Sequence, residues 1–297
     1  MIYRLSDIPQ DALLLIIDRV EKAVTVLREA LESSPAASAF AERMNFVDAS
    51  ASTFVDADEV PVVDLVHYDS HLDNADVRSI VERSHIVLRI RRAMAMASIE
   101  VGWLDVFVSA ANGDFDLNAT PWFAHWAETV EASSPLSPIL RTAIVIDAWN
   151  YYCCEQSLSW LGRQSAAAFF RSTNAVPHYL ALNAGFKLVS RQRYLCSDQT
   201  SRIVALLHAI ERSVRYEIKE HTKLAAALIA CQRMVVGRRS NSKLPRLLKL
   251  ASERPIISVP IVVKELGISS VSARDFIRAL QLRETTGRGR DCLWSLV

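Results

Sequence analysis

The stretch Ile256-Ile257-Ser258-Val259-Pro260-Ile261-Val262-Val263-Lys264-Glu265-Leu266-Gly267-Ile268-Ser269-Ser270-Val271-Ser272-Ala273-Arg274-Asp275-Phe276-Ile277-Arg278-Ala279-Leu280-Gln281-Leu282 decides how the chain is read. Residues 258–266 have the apolar spacing of a short helix and Gly267-Ile268-Ser269 the composition of a tight turn. Residues 270–282 then read as a second helix with Ala273, Ile277 and Leu280 on its inner face. Gly267 suits the left-handed backbone that ends a helix, because it has no Cβ to clash. Ser269 can cap the second helix by accepting a bond from a free backbone N–H, worth ~1 kcal/mol. This is helix-turn-helix spacing. Beyond Leu282, residues 283–286 and 291–296 fit two short strands joined by the basic tip Gly287-Arg288-Gly289-Arg290. The expectation is a winged helix-turn-helix over residues 256–297.

With its apolar face buried, the second helix presents Ser270, Val271, Arg274, Asp275 and Arg278 outward. Arginines so placed reach guanine edges or phosphates in a major groove. Arg288 and Arg290 on the wing, with Lys264 on the first helix, are expected on the backbone or in the minor groove, which adds a salt-dependent term through counterion release. Double-stranded DNA is therefore the expected partner. Winged helices also serve as protein-protein modules, and Asp275 on the reading face would repel phosphate, so an interaction module stays open as an alternative.

The charge distribution supports the first reading. The formal net charge is +1, but carboxylates far outnumber cations from Asp7 to Glu82. From Arg233 to Arg290 the excess is basic, including Arg238, Arg239, Lys243, Arg246, Lys249, Arg254 and Arg283. A basic C-terminal module is the footprint of a phosphate-binding surface.

Upstream, apolar residues recur at three- and four-residue steps over residues 11–31, 40–54, 77–96, 121–130, 138–170 and 200–236. Turn signals such as Ser33-Ser34-Pro35, Asn112-Gly113-Asp114 and Ser133-Ser134-Pro135 separate them. No alternating strand pattern precedes the C-terminus. The fold class expected is mainly α. Residues 1–236 form a helical domain, residues 237–255 a basic linker and short helix starting near Pro245, and the winged module follows.

Composition excludes several classes. Half the residues are hydrophobic (51%), with no apolar run of membrane-spanning length and no signal-peptide core, so the chain is expected in the cytoplasm. The five cysteines, Cys153, Cys154, Cys196, Cys231 and Cys292, lack C-x-x-C spacing, so neither a disulfide frame nor a zinc cluster is indicated, and the adjacent Cys153 and Cys154 are read as two small buried thiols. No G-x-S-x-G, Walker loop or dinucleotide fingerprint occurs, and no cofactor is expected. Asp64, His67 and His71 lie at helical spacings that would let them share a face and hold a divalent metal, but no fourth ligand accompanies them, and no metal is expected. Trp103, Trp122, Trp126, Trp149 and Trp160 are expected in the core rather than around a ligand.

The helical region also resembles a known family. Asn45-Phe46-Val47-Asp48-Ala49-Ser50-Ala51-Ser52-Thr53-Phe54-Val55-Asp56, with Val63-Asp64-Leu65, resembles the N-terminal segment of Fic-family proteins. That family's helix carries Ser-x-x-x-Glu-Gly, which here would be Ser52, Asp56 and Ala57. Leu161-Gly162-Arg163, and Val176-Pro177-His178-Tyr179-Leu180-Ala181-Leu182-Asn183 after it, resemble the end and aftermath of the family's H-P-F-x-x-G-N-G-R-x-x-R motif. With Arg163 as the last arginine, Tyr152 stands where the catalytic histidine would be, and Ser157, Leu158, Ser159 and Trp160 replace the phosphate-cradling G-N-G-R run. The resemblance thus implies a Fic-like domain without its general base or anion nest, and no catalytic residue is assigned. A nucleotidyl transferase with unorthodox residues is the alternative.

A likeness along nearly the whole chain is to a bacterial family, common in rhizobia and often plasmid-borne, in which a helical domain of unknown function precedes a helix-turn-helix. Asp48-Ala49-Ser50-Ala51-Ser52, Arg238-Arg239-Ser240-Asn241-Ser242-Lys243-Leu244-Pro245 and Leu282-Arg283-Glu284-Thr285-Thr286-Gly287-Arg288-Gly289-Arg290 carry it. It implies the architecture of a transcriptional regulator whose helical domain dimerises or senses an effector. A homodimer is expected, since one winged helix reads too few base pairs for useful specificity.

Overall fold

The computed structural model describes residues 3–54, 59–71, 79–97, 101–153, 158–174, 176–189, 198–236, 243–285 and 292–297. The helical body comprises α1 (Gln10–Glu32), α2 (Ala37–Ala51), α3 (Val62–Asp69), α4 (Ser79–Met96), α5 (Trp103–Ala111), α6 (Pro121–Ala132), α7 (Pro138–Tyr152), α8 (Ser159–Asn174), α9 (Leu182–Lys187) and α10 (Gln199–Val235). The C-terminal unit comprises α11 (Leu244–Glu253), β1 (Ile257–Ser258), α12 (Val259–Leu266), α13 (Ser270–Ala279), β2 (Arg283–Glu284) and β3 (Leu293–Ser295).

At 37 residues α10 is the axis of the body. The apolar stripe of α1, with Leu13, Val20, Leu27 and Leu31 buried, runs parallel to it. Arg19 pairs with Glu211 at 3.4 Å, and farther along Ser34 Oγ lies 2.8 Å from His221 Nε2. Two glycines allow helices to approach closely. A Cβ on Gly162 of α8 would lie 2.4 Å from Trp149 Cγ, and one on Gly185 of α9 would lie 1.8 Å from Ser213 Oγ. The tryptophans are core residues, as expected. Trp126, Trp149 and Trp160 are fully buried, and Trp126 and Trp149 donate to the carbonyls of Val145 and Leu158. Trp103, Trp122 and Phe107 meet these rings edge-on, the arrangement their quadrupoles favour.

Three sequence expectations need correcting. The helix expected over residues 138–170 is two helices, because α7 stops at Tyr152 and Cys153 is extended (ψ 106). Helices α3, α5 and α9 were not expected. They are too short for a helical period to stand out, at 8, 9 and 6 residues. Nor do Asp64, His67 and His71 share a helical face. His71 lies past the end of α3 in left-handed backbone (φ 51), and His67 Nε2 is 3.2 Å from Ser258 Oγ. Cys153 and Cys231 are buried and Cys292 is half-buried, whereas Cys154 and Cys196 lie outside the described residues. No helix among the described residues is long and apolar enough to cross a membrane.

The C-terminal unit is joined to the body by buried polar contacts. Arg43 on α2 donates to the carbonyls of Ala251, Arg254 and Pro255 and to Ser295 Oγ. Burial pushes its guanidinium pKa down to about 10 against the pull of Glu220 and Tyr216. Cys231 on α10 donates to the carbonyl of Leu280. The sheet has the order β1-β3-β2, antiparallel throughout, with Ile257 opposite Trp294 and Arg283 opposite Ser295. The sequence did not show β1, a strand of two residues.

Candidate nucleic-acid interface

Each feature of the turn has a visible cause. Gly267 ends α12 in left-handed backbone (φ 62, ψ 51), and Ser269 accepts a bond from the Ser272 N–H at 3.2 Å. Ala273, Ile277 and Leu280 are buried, which fixes the rotation of α13. Ser270, Val271, Arg274, Asp275 and Arg278 are accordingly exposed, Val271 at 65%. Arg278 Nη1 lies 3.3 Å from Asp275 Oδ1, both side chains well over half exposed, a pairing that solvent screens. The body docks without covering this face.

The wing exists as the antiparallel pair β2 and β3, and Thr285 N continues the ladder to the Leu293 carbonyl at 2.8 Å. Its tip, with Arg288 and Arg290, lies outside the described residues. Arg283 on β2 is exposed and extends the basic surface to the base of the wing. In the sequence it is one cation of the basic run, with nothing local to distinguish it. Its place on a strand that pairs one-to-one with buried Ser295 was the missing information.

Much of the basic excess serves internal contacts. Lys264 Nζ donates to the Ser70 carbonyl at 2.7 Å, so this side chain meets the body and not the surface formed by Arg274 and Arg278. Lys243 and Arg246 donate to the carbonyls of Leu266 and Glu265, at the C-terminus of α12, where a helix favours cations. Arg254 bonds the Ser70 hydroxyl and Glu265 and lies 3.9 Å from Asp69. Burial disfavours the Asp69 charge, but bonds from His85 and Arg92 and the charges of Arg92 and Arg254 outweigh it and hold the carboxyl well below the usual range. The end of α3 is thus a clamp on α12.

The body holds a second polar cluster, wholly interior. Asp48 accepts from Arg91 Nη1 (2.8 Å), Gln164 Nε2 (3.0 Å) and both the backbone N (2.7 Å) and side chain (2.9 Å) of Asn183. Arg163 donates to Asn183, to Ser159 Oγ and to the Ser52 carbonyl at 2.9 Å. Asp48, Arg91, Arg163 and Asn183 are all at most 2% exposed. Tyr152 shares a bond with Thr129 Oγ1 (3.0 Å) and accepts from Tyr3 N. Asp56, Ala57 and Ser157 lie outside the described residues. An arginine among Val87, Leu88 and Met94 on the buried face of α4 was the sequence signal for this cluster.

Over 96% of each chain, the structure aligns with a crystallised Fic family protein from Desulfovibrio desulfuricans, with a TM-score of 0.54 and 13% identity. The fold is Fic-like. Two family models match separate parts of the chain. Residues 113–236, the second half of the Fic-like body, match a family described as a protein of unknown function, DUF1612. Residues 244–297, which are α11 through β3, match one described as an HTH DNA binding domain. The chain is also 24% identical, over all of both chains, to the uncharacterized protein y4cF of Sinorhizobium fredii. The C-terminal match begins at α11, the short helix that follows the basic segment.

Proposed function

We propose that the chain is a DNA-binding transcriptional regulator in which a catalytically inactive Fic-like body carries and positions a winged helix-turn-helix. One observation carries this reading: the face of α13 bearing Arg274 and Arg278 stays open to solvent while the opposite face is packed. Ser270, Val271, Arg274 and Arg278 read the major groove, and Arg283, Arg288 and Arg290 follow the backbone beside it. Lys264, engaged by Ser70, is left out of the contact set.

The interior of the body supports a non-catalytic role. Four bonds saturate the Asp48 carboxylate, and Arg163 is turned onto Asn183 and the Ser52 carbonyl. The phenol at the position of the family's catalytic histidine joins Thr129 to the N-terminal segment. A general base needs a proton within reach and an anion nest needs free donors, and these groups supply neither.

Fragments of the host genome retained by the full-length protein should share a sequence element. Replacing Arg274 and Arg278 together by Ala should abolish the preference among fragments, each base contact being worth about 1–3 kcal/mol. Retention of the same fragments by the double variant would show that the assigned face is wrong.

A further inference from the structure

One face of α1 is uncovered. Leu14 is 59% exposed, Leu15 83% and Val26 51%, on a helix whose opposite face is buried. Between them Asp18 and Lys22 form an ion pair of 2.7 Å with both side chains more than half exposed. Positions 11, 15, 18, 22, 25 and 29 step by four and three residues, so they form one stripe along the helix.

That stripe is complementary to itself. If a second copy of α1 runs antiparallel about a two-fold axis level with Val20, Leu15 comes beside Val26 of the other copy on one flank of the stripe and Leu14 beside the methyl of Thr25 on the other. Asp18 meets Lys22 near the centre of the stripe, twice by symmetry. The like charges that meet, Asp11 and Glu29, fall at the two rims, where water and salt screen them best. Shifting the axis by one turn would set Leu15 against a charged side chain and lose these pairs.

We propose that two copies of this chain pair through α1 in this antiparallel register. The pairing stands on α1 alone; its purpose rests on the DNA-binding reading above. Because α1 and α10 run parallel, the axis lies level with Glu211, and Cys231, which bonds Leu280 beside α13, is about 30 Å farther along α10 at 1.5 Å per residue. Two reading helices would then be set apart by about 60 Å along this direction, between one and two turns of duplex at about 35 Å each.

Sedimentation velocity over a concentration series tests the register, using wild type, Leu15→Glu, Lys22→Asp and the charge swap Asp18→Lys/Lys22→Asp. Wild type should be a dimer and Leu15→Glu a monomer with an unchanged circular dichroism spectrum. Lys22→Asp should weaken association about tenfold or more, by setting a second carboxylate against Asp18 of the other copy, and the swap should restore it. Variants that all stay dimeric, or a swap that fails to rescue, would overturn the α1 register while leaving a dimer. A wild type that is monomeric throughout would overturn the pairing itself. The DNA-binding reading is checked separately by Leu15→Glu, which should still bind a single half-site at low salt.

Discussion

Arg43 on α2 donates through Nη2 to the hydroxyl of Ser295 on β3, 3.0 Å away, so a buried guanidinium of the helical body forms part of the wing's foundation. The same group holds the carbonyls of Arg254 and Pro255, just ahead of β1. Removing it takes the donor from the carbonyls of Ala251 and Arg254, while the Pro255 carbonyl keeps its bond from Ser295 Oγ and that hydroxyl its bond from the Val297 N–H. Arg43→Met should cost about 3 kcal/mol, and a single calorimetric transition in the wild type should broaden or split in the variant. An unchanged single transition would mean that the two parts are coupled by other contacts.

Lys264 and Arg283 separate docking from binding. Both are exposed basic residues, but Lys264 donates to the Ser70 carbonyl whereas Arg283 stands on the open side of β2. Arg283→Ala should lower the slope of log affinity against log salt by about one, and Lys264→Ala should leave it unchanged. Equal slopes in the two variants would refute the division.

Stability should fall on mild acidification, through His221. Burial, and then the nearby His178, hold the His221 imidazole below its ordinary value of 6.5, so the folded state prefers it neutral. A depressed histidine contributes stability that is present above the unfolded value and is lost as pH falls below it toward the folded value. The urea midpoint should therefore drop between about pH 7.5 and pH 5.5, and His221→Gln should flatten part of that slope. A midpoint that is level, or that rises on acidification, contradicts this.

Gly162 is fixed by packing rather than by chemistry. Although it stands in the segment resembling a catalytic motif, a Cβ there would meet Trp149 Cβ, Cγ and Cδ1 at 2.4 to 2.9 Å, and Trp149 is fully buried. Gly162→Ala should lower stability by about 2 kcal/mol or more, read from the denaturant midpoint. Normal stability would show that α7 and α8 can separate without cost.

The sequence showed the winged helix clearly because local chemistry specifies it. Gly267 and Ser269 act within their own turn, and Ala273, Ile277 and Leu280 recur at helical period. The long helices α1, α4 and α10 were legible for the same reason, having enough residues to show a period. What stayed hidden depends on partners remote in sequence. Nothing near Lys264 marks it as bonding Ser70, and nothing near Arg43 marks its four acceptors between Ala251 and Ser295. The basic excess of the C-terminal unit was real, but its use was not legible. Lys243, Arg246 and Arg254 hold the module together, and Arg274, Arg278 and Arg283 face solvent.

The most direct test of the account is the affinity of the full-length protein for random and for genomic DNA at low and at near-physiological salt. The account predicts binding to all duplex DNA at low salt, a steep loss as salt rises, and survival of tight binding only on a subset of genomic fragments. Absence of binding at low salt would contradict it and would make the open face of α13 a protein-contact surface instead.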